Sequence, residues 1–138
     1  MDLRRLTDDF TVSPQIAEDE LDEIARAGFR SVLCNRPDGE EPGQPGFDSI
    51  ADAARAAGLE ARAVPIVSGT IPPRAVEDFR AALDELPKPI LAYCRSGTRC
   101  TMLWAITRHK EMENAEIERR AAEAGYDVTG LLRQLGAR

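Results

Sequence analysis

One short segment of the sequence contains the residue types that an activated cysteine nucleophile needs. This segment, the cysteine loop, is residues 94–99, Cys94-Arg95-Ser96-Gly97-Thr98-Arg99. Gly97 can adopt a positive φ, which lets successive backbone N–H groups turn toward one point and bind an anion. Those groups, with the positive end of a following helix, lower the pKa of a thiol, so we expect Cys94 to be a thiolate near neutral pH. We therefore predict that Cys94 is a catalytic nucleophile.

The other residues of the cysteine loop are predicted to bind an anionic substrate. Arg99 is the predicted catalytic partner of Cys94, because a guanidinium can donate to two oxygens of one oxyanion. Substrate binding is expected from side chains and, above all, from backbone N–H groups of Arg95, Ser96, Gly97 and Thr98. If the loop is inactive, Cys94 is a small buried hydrophobic residue, as cysteines at strand ends usually are.

Arg36 is a further candidate for anion binding. It follows a predicted strand, so it is expected on the same edge of the sheet as Cys94. There it could steer an anionic substrate, while the nearby acids Glu40 and Glu41 could order Arg99 from behind. The alternative is a surface loop, rich in proline and glycine, whose charges are solvated.

Cys100 directly follows the cysteine loop, and two interpretations of it stay open. It could be a resolving thiol that forms a disulfide with an oxidised or persulfidated Cys94. Alternatively it is a packed core residue. The three cysteines and the single histidine, His109, show no spacing typical of a zinc site, so we predict no metal site. No cofactor is expected either.

Hydrophobic periodicity predicts strands and helices in alternation. The predicted extended segments are residues 10–12, 31–34, 60–67 and 90–93. The predicted helices are residues 16–27, 47–57, 73–86, 100–110, 113–124 and 129–135. This order indicates an α/β fold with a mainly parallel central sheet flanked by helices. Ligands bind such sheets at the carboxyl ends of the strands, which is where the cysteine loop follows residues 90–93.

Composition limits the classes of protein that the chain can belong to. Its 138 residues, 43% hydrophobic and 30% charged, fit one folded domain over residues 1–138, with a core over about residues 6–135. A net charge of −6 with scattered basic residues argues against nucleic-acid binding. No apolar run is long enough for a membrane helix, and no secretory signal is visible. An odd number of cysteines favours a reducing compartment, so a cytoplasmic protein is expected.

Several segments together resemble one bacterial family. They are Ser13-Pro14-Gln15, residues 32–41, Val64-Pro65, residues 93–99 and residues 121–132. They resemble the phosphatase-like domain of the beta-lactamase hydrolase-like proteins, which occurs alone or fused to a metallo-β-lactamase-type hydrolase. The resemblance implies a tyrosine- or dual-specificity-phosphatase-like fold with the cysteine loop as active site. It also implies, as a partner, a metallo-β-lactamase-like hydrolase or a persulfide dioxygenase. Members have been described both as tyrosine phosphatases and as sulfurtransferases.

The length of the cysteine loop favours sulfur transfer over phosphoryl transfer. A tyrosine-phosphatase loop has the form Cys-x5-Arg, but only four residues separate Cys94 from Arg99 here, as in rhodanese-like loops. The loop at residues 67–73 also contains no carboxylate that could protonate a leaving alkoxide. We therefore predict a rhodanese-type sulfurtransferase that forms a Cys94 persulfide from a small anionic donor such as thiosulfate.

Two alternatives stay open at this point. One is a phosphatase that hydrolyses phosphomonoesters, of the tyrosine or dual-specificity type, through a Cys94 phosphocysteine. The other is not an enzyme but an anion-binding or thiol redox-sensing module, in which Cys94 and Cys100 report oxidation.

Overall fold

The centre of the sheet is built from strands that are buried on both faces. In the computed structural model, which describes residues 1–136, the strands are β1 (Arg4–Thr7), β2 (Phe10–Ser13), β3 (Ser31–Cys34), β4 (Glu60–Ala63) and β5 (Ile90–Tyr93). Their spatial order is β1-β2-β5-β3-β4; β1 and β2 are antiparallel, and the other neighbours are parallel. Every residue of β2, β3 and β5 is buried, as expected for parallel strands covered on both faces.

Helices cover both faces of the sheet. They are a 3₁₀ turn (Glu18–Glu20), α1 (Leu21–Arg26), α2 (Phe47–Ala56), α3 (Pro73–Glu85), α4 (Thr98–Arg108), α5 (Asn114–Glu123) and α6 (Thr129–Leu135). One hydrophobic cluster contains Phe79 of α3 and Trp104 of α4, and the other contains Ile24 of α1 and Ile50 of α2. Alternate strand residues enter opposite clusters, so the sheet separates two cores.

The strand register brings three loops to one edge of the sheet. Tyr93, the last residue of β5, is paired with Ser13 on one side and with Cys34 on the other. The chain leaves all three parallel strands at the same level, so the segments that follow Ser13, Cys34 and Tyr93 meet. This edge is the expected position of a ligand site in an open parallel sheet.

The predicted α/β architecture is confirmed, with local differences. The predicted helix at 16–27 is shorter in the structure. The backbone is still extended at Ala17, and the helical segment starts with the 3₁₀ turn that precedes α1. The extended segment at 60–67 is a strand only to Ala63. Helix α4 begins at Thr98 rather than at Cys100. The sequence does not predict strand β1, because Leu6 is the only buried residue of this edge strand and the segment shows no apolar alternation.

Residues 137 and 138 of the predicted 1–138 domain lie outside the described residues. Within residues 1–136, no helix combines the length and the apolar character that a membrane crossing requires.

Candidate active site

The cysteine loop is a tight connection between a buried strand and a helix. Strand β5 ends at Tyr93, and α4 begins at Thr98 after Gly97, which has φ +90°. This left-handed conformation strains any side chain, and a Cβ at Gly97 would overlap the hydroxyl of Tyr126. Glycine at this position therefore permits the turn that directs the backbone N–H of Gly97 to the Sγ of Cys94, at 3.1 Å.

The Cys94 sulfur is held as an anion. Hydrogen bonds, first from the thiol of Cys100 and then from the backbone N–H groups of Cys100, Ser96 and Gly97, lower the pKa of Cys94 to about 5, although burial opposes them. Burial raises the pKa of Cys100 well above its usual range, so that thiol stays protonated and can donate. Cys94 is fully buried, and all three cysteines, Cys34 included, are free thiols. The predicted thiolate is thus supported by the geometry around it.

Arg99 is fixed by a bidentate ion pair with Glu40. Its two terminal nitrogens donate to the two carboxylate oxygens of Glu40, both at 2.8 Å, and one of them also donates to the carbonyl of Ile66 at 2.9 Å. Such paired hydrogen bonds fix the plane of a guanidinium. The hydrogen bonds from Arg99, the largest effect, lower the pKa of Glu40 to about 2, with a smaller contribution from Arg36. Glu40 is therefore a permanent anion near neutral pH.

Arg36 lies behind the site and not among the residues that line it. Its guanidinium donates to Glu40 at 2.9 Å, to Glu41 at 2.6 Å and to the side-chain oxygen of Gln15 at 3.0 Å. Its side chain is only 2% exposed. The predicted contact between Arg36 and substrate therefore finds no support in this geometry; the residue instead holds the acid that positions Arg99. The other interpretation, a loop whose charges are solvated, does not describe the buried Arg36, whereas Glu41 is partly solvated, with 45% of its side chain exposed.

A pocket of about 580 Å³ opens beside the cysteine loop. It is lined by Ser68, Gly69, Arg95, Ser96, Thr98, Arg99 and Met102. This volume is within the range of about 300–1,000 Å³ that is typical of small-molecule sites. The side chains of Arg95, Ser96, Thr98 and Arg99 thus meet at one pocket, whereas Gly97 is not among the residues that line it.

The two hydroxyl groups of the cysteine loop, on Ser96 and Thr98, form a hydrogen bond with each other. The Ser96 hydroxyl donates to the Thr98 hydroxyl oxygen at 2.9 Å. Thr98 also begins α4, so the N–H groups at the positive end of that helix lie next to the loop. The start of α4 two residues earlier than predicted is what places Thr98 and Arg99 in its first turn.

Tyr126 fixes the peptide group that faces the sulfur. Its hydroxyl donates to the carbonyl oxygen of Ser96 at 2.8 Å. This carbonyl and the N–H of Gly97 belong to the same peptide group, which is planar, so they point in opposite directions. A hydrogen bond on the Ser96 carbonyl therefore helps to keep the Gly97 N–H on the Cys94 sulfur. No motif in the sequence predicts this role of Tyr126, although the residue lies in the segment 121–132 that resembles the family.

We expect Glu40→Gln to weaken folding at neutral pH. The lowered pKa of Glu40 means that its stabilising contribution is complete above its usual pKa of 4.5 and is lost as the pH falls toward about 2. The substitution removes charge-assisted hydrogen bonds, so the free energy of unfolding at pH 7 should fall by about 2 kcal/mol. Urea unfolding at a series of pH values measures both effects.

Glu85→Gln is the matched control, because Glu85 forms an exposed ion pair with Arg62. It should change stability little. An equal loss of unfolding free energy in the two variants would contradict the proposed role of the Arg99–Glu40 ion pair. So would a Glu40→Gln variant whose stability falls with acid as much as that of the wild type.

We expect Tyr126→Phe to loosen the peptide group between Ser96 and Gly97. The ring stays, but the hydroxyl bond, worth about 1 kcal/mol, is lost. Amide hydrogen exchange should become faster at Gly97 and stay unchanged at the Ala105 amide within α4, which serves as the internal control. Unchanged exchange at Gly97 would show that Tyr126 does not hold the loop.

The chain is similar to known proteins over nearly its whole length. Residues 2–111 match the model of the family described as beta-lactamase hydrolase-like protein, phosphatase-like domain. A beta-lactamase hydrolase-like protein from Xylella fastidiosa is 39% identical over 129 residues, which are 89% of this chain but 30% of that protein. The chain therefore spans about 30% of the length of this relative.

Solved structures agree with the fold. A candidate phosphatase from Neisseria meningitidis is 36% identical with a TM-score of 0.87, and the match covers 99% of this chain and 97% of that one. Tk-PTP in its active form is 21% identical with a TM-score of 0.67, over 97% of this chain and 92% of that one. The predicted tyrosine- and dual-specificity-phosphatase-like fold is thus confirmed. The match to the family model over residues 2–111 means that the chain belongs to the phosphatase-like domain family of the beta-lactamase hydrolase-like proteins.

Proposed function

We propose that the protein is a cysteine-dependent hydrolase of the phosphatase type that acts on small phosphomonoesters. The observation that carries this proposal is the Cys94 thiolate, with a pKa of about 5, at the turn between a strand and a helix in a tyrosine-phosphatase-like fold. The family description and the relative from Neisseria meningitidis, a candidate phosphatase, support the same class. The sulfurtransferase favoured by loop length receives no specific support from these relatives.

In the proposed reaction, the phosphoryl group binds at the cysteine loop. Backbone N–H groups of the loop and the guanidinium of Arg99 stabilise its oxygens as negative charge builds up. The Cys94 sulfur attacks phosphorus, an S–P bond forms, and the P–O bond to the leaving group breaks. Water then attacks the phosphocysteine, the S–P bond breaks, and phosphate leaves with the Cys94 thiolate restored.

Sulfur transfer is the second candidate because one observation favours it. The loop is one residue shorter than Cys-x5-Arg, and Cys100 occupies the position of the phosphatase arginine. In this reaction Cys94 attacks the outer sulfur of thiosulfate, the S–S bond breaks, and sulfite leaves without a proton. The resulting persulfide passes its sulfur to a thiol or to cyanide, which restores the thiolate.

A partner and a compartment accompany this second candidate. A Cys94 persulfide needs an acceptor, so we propose a persulfide dioxygenase or a metallo-β-lactamase-like hydrolase as the protein that works beside this one. The matched relatives have about 70% of their length beyond the region similar to this chain, which gives room for such a unit in them. The three free thiols fit a reducing compartment such as the cytoplasm.

A paired assay tests the two reactions in one preparation. Release of phosphate from p-nitrophenyl phosphate and formation of thiocyanate from thiosulfate and cyanide are measured for the wild type, Cys94→Ser and Cys100→Ser. The proposal predicts phosphate release that falls to background in Cys94→Ser, because a hydroxyl is not ionised near neutral pH. In Cys100→Ser, which keeps a donor near the sulfur, activity should be reduced but measurable.

Thiocyanate formation without phosphate release would contradict the phosphatase and establish the second candidate. If neither reaction proceeds but peroxide links Cys94 to Cys100 as a disulfide, with two water molecules as the reduced product, the protein is a redox-sensing module and both enzyme candidates fail.

A further inference from the structure

The pocket beside the cysteine loop contains no group suited to protonate a leaving group. Of the residues that line it within the described chain, none is a carboxylic acid or a histidine. Glu40, which contacts Arg99, is held ionised with a pKa of about 2 and so has no proton to give near neutral pH. Glu77 lines a different pocket, with Arg80 and Ile106, and Asp78 pairs with Arg74.

Without an acid, the leaving group must depart as an anion. The conjugate acid of an alkoxide has a pKa near that of water, about 15.7. The value for a phenol is about 10, and that for the second ionisation of a phosphate ester is about 6. A phosphate is thus the easiest of the three to expel, and an alkoxide is the hardest.

Arg95 provides a binding group for such an anion. Its side chain is 68% exposed and lines the pocket, in contrast to the buried Arg36 and Arg99. Its Nε lies 3.2 Å from Glu41, and among residues 1–136 its two terminal nitrogens have no hydrogen-bond acceptor. These nitrogens can donate to two oxygens of a second anionic group at the rim of the pocket.

We propose that the physiological substrate is a phosphoanhydride, bound with its terminal phosphoryl group at the cysteine loop and its next phosphate on Arg95. This inference rests on the proposed phosphatase reaction at Cys94 and goes beyond it, because it names a phosphoanhydride and not a simple phosphomonoester as the physiological substrate. The pocket volume of about 580 Å³ leaves room for the second phosphate and part of the group that carries it.

The reaction balances without a general acid. The Cys94 sulfur attacks the terminal phosphorus, an S–P bond forms, and the bridging P–O bond breaks, so the bridging oxygen keeps the electron pair as part of the phosphate held by Arg95. Water then hydrolyses the phosphocysteine and provides the protons of the released phosphate. The sum is one anhydride and one water giving two phosphates.

ADP and AMP form a matched pair of probes, because they share the nucleoside and differ in the leaving group. Attack on the terminal phosphorus of ADP expels AMP, whereas attack on AMP must expel an alkoxide. Phosphate release is measured for both nucleotides and for p-nitrophenyl phosphate, with wild type and Cys94→Ser. We expect kcat/KM for ADP to exceed that for AMP by at least about 100-fold, the scale of one missing general acid.

Substitutions at Arg95 test the second binding position. Arg95→Ala should raise KM for ADP by roughly tenfold, the loss of one charge-assisted contact, and by a larger factor than KM for p-nitrophenyl phosphate. Arg95→Lys, which keeps the charge, should recover part of the loss. Arg74→Ala is the control, because Arg74 is an exposed arginine on α3 that pairs with Asp78 outside this pocket.

The outcomes separate this inference from the proposal on which it rests. If p-nitrophenyl phosphate is hydrolysed but kcat/KM for ADP does not exceed that for AMP, the phosphoanhydride substrate is wrong and the phosphatase function is retained. A loss in Arg95→Ala no greater than in Arg74→Ala would overturn the role of Arg95. Phosphate release from none of the three substrates would contradict the phosphatase itself, and the inference with it.

Discussion

The site depends on a negative charge kept on a sulfur atom that is fully buried. Burial alone disfavours a thiolate, and two neighbouring cysteines show the effect: desolvation raises the pKa of Cys34 and of Cys100. Cys94 is as buried as they are, yet its pKa moves in the opposite direction. The difference is that hydrogen bonds from the Cys100 thiol and from loop amides converge on this sulfur. Every proposed reaction requires that charge, so the conformation that maintains it is the central constraint of the structure.

Three arginines near the loop have different roles because they differ in exposure. The side chains of Arg36, Arg99 and Arg95 are 2%, 8% and 68% exposed. Arg36 is enclosed by acceptors and supports the acids, Arg99 is clamped by Glu40 at the pocket wall, and Arg95 presents its terminal nitrogens to solvent. Two of the three guanidinium groups are thus buried and fixed by ion pairs, whereas that of Arg95 is exposed at the rim of the pocket. This arrangement suits the proposed substrate, with one phosphoryl group bound at the cysteine loop and a second phosphate bound by Arg95.

The sequence predicts the cysteine loop as the site, but it predicts only some of the contacts that the structure shows around that loop. The alternation of apolar segments predicted the sheet, and strand β5 and helix α6 have the predicted bounds. The prediction of the cysteine loop rests on Cys94 at the end of a strand, followed by Gly97 between two arginines. The ordering of Arg99 by Glu40 is expected from the sequence, because both residues follow strands that end at the same edge of the sheet, although they are 59 positions apart. The contact of Tyr126 with Ser96 joins residues 30 positions apart, and no sequence pattern predicts it. Such contacts depend on how the loops meet above the sheet, which local periodicity does not encode. No sequence pattern predicts strand β1, since it is paired along only one edge and has a single buried residue.

The ionisation of Cys94 is the most direct measurement of this constraint. The ultraviolet absorbance of the thiolate is followed from acid to alkaline pH in the wild type, and the same titration of Cys94→Ser is subtracted. Cys34 and Cys100 do not interfere below pH 9, because their pKa values are raised from the ordinary 9.0. The difference curve should show one thiol with a midpoint near pH 5. A midpoint at or above the ordinary value of 9.0 would mean that burial outweighs the hydrogen bonds, and the protein would then lack the nucleophile on which its proposed function rests.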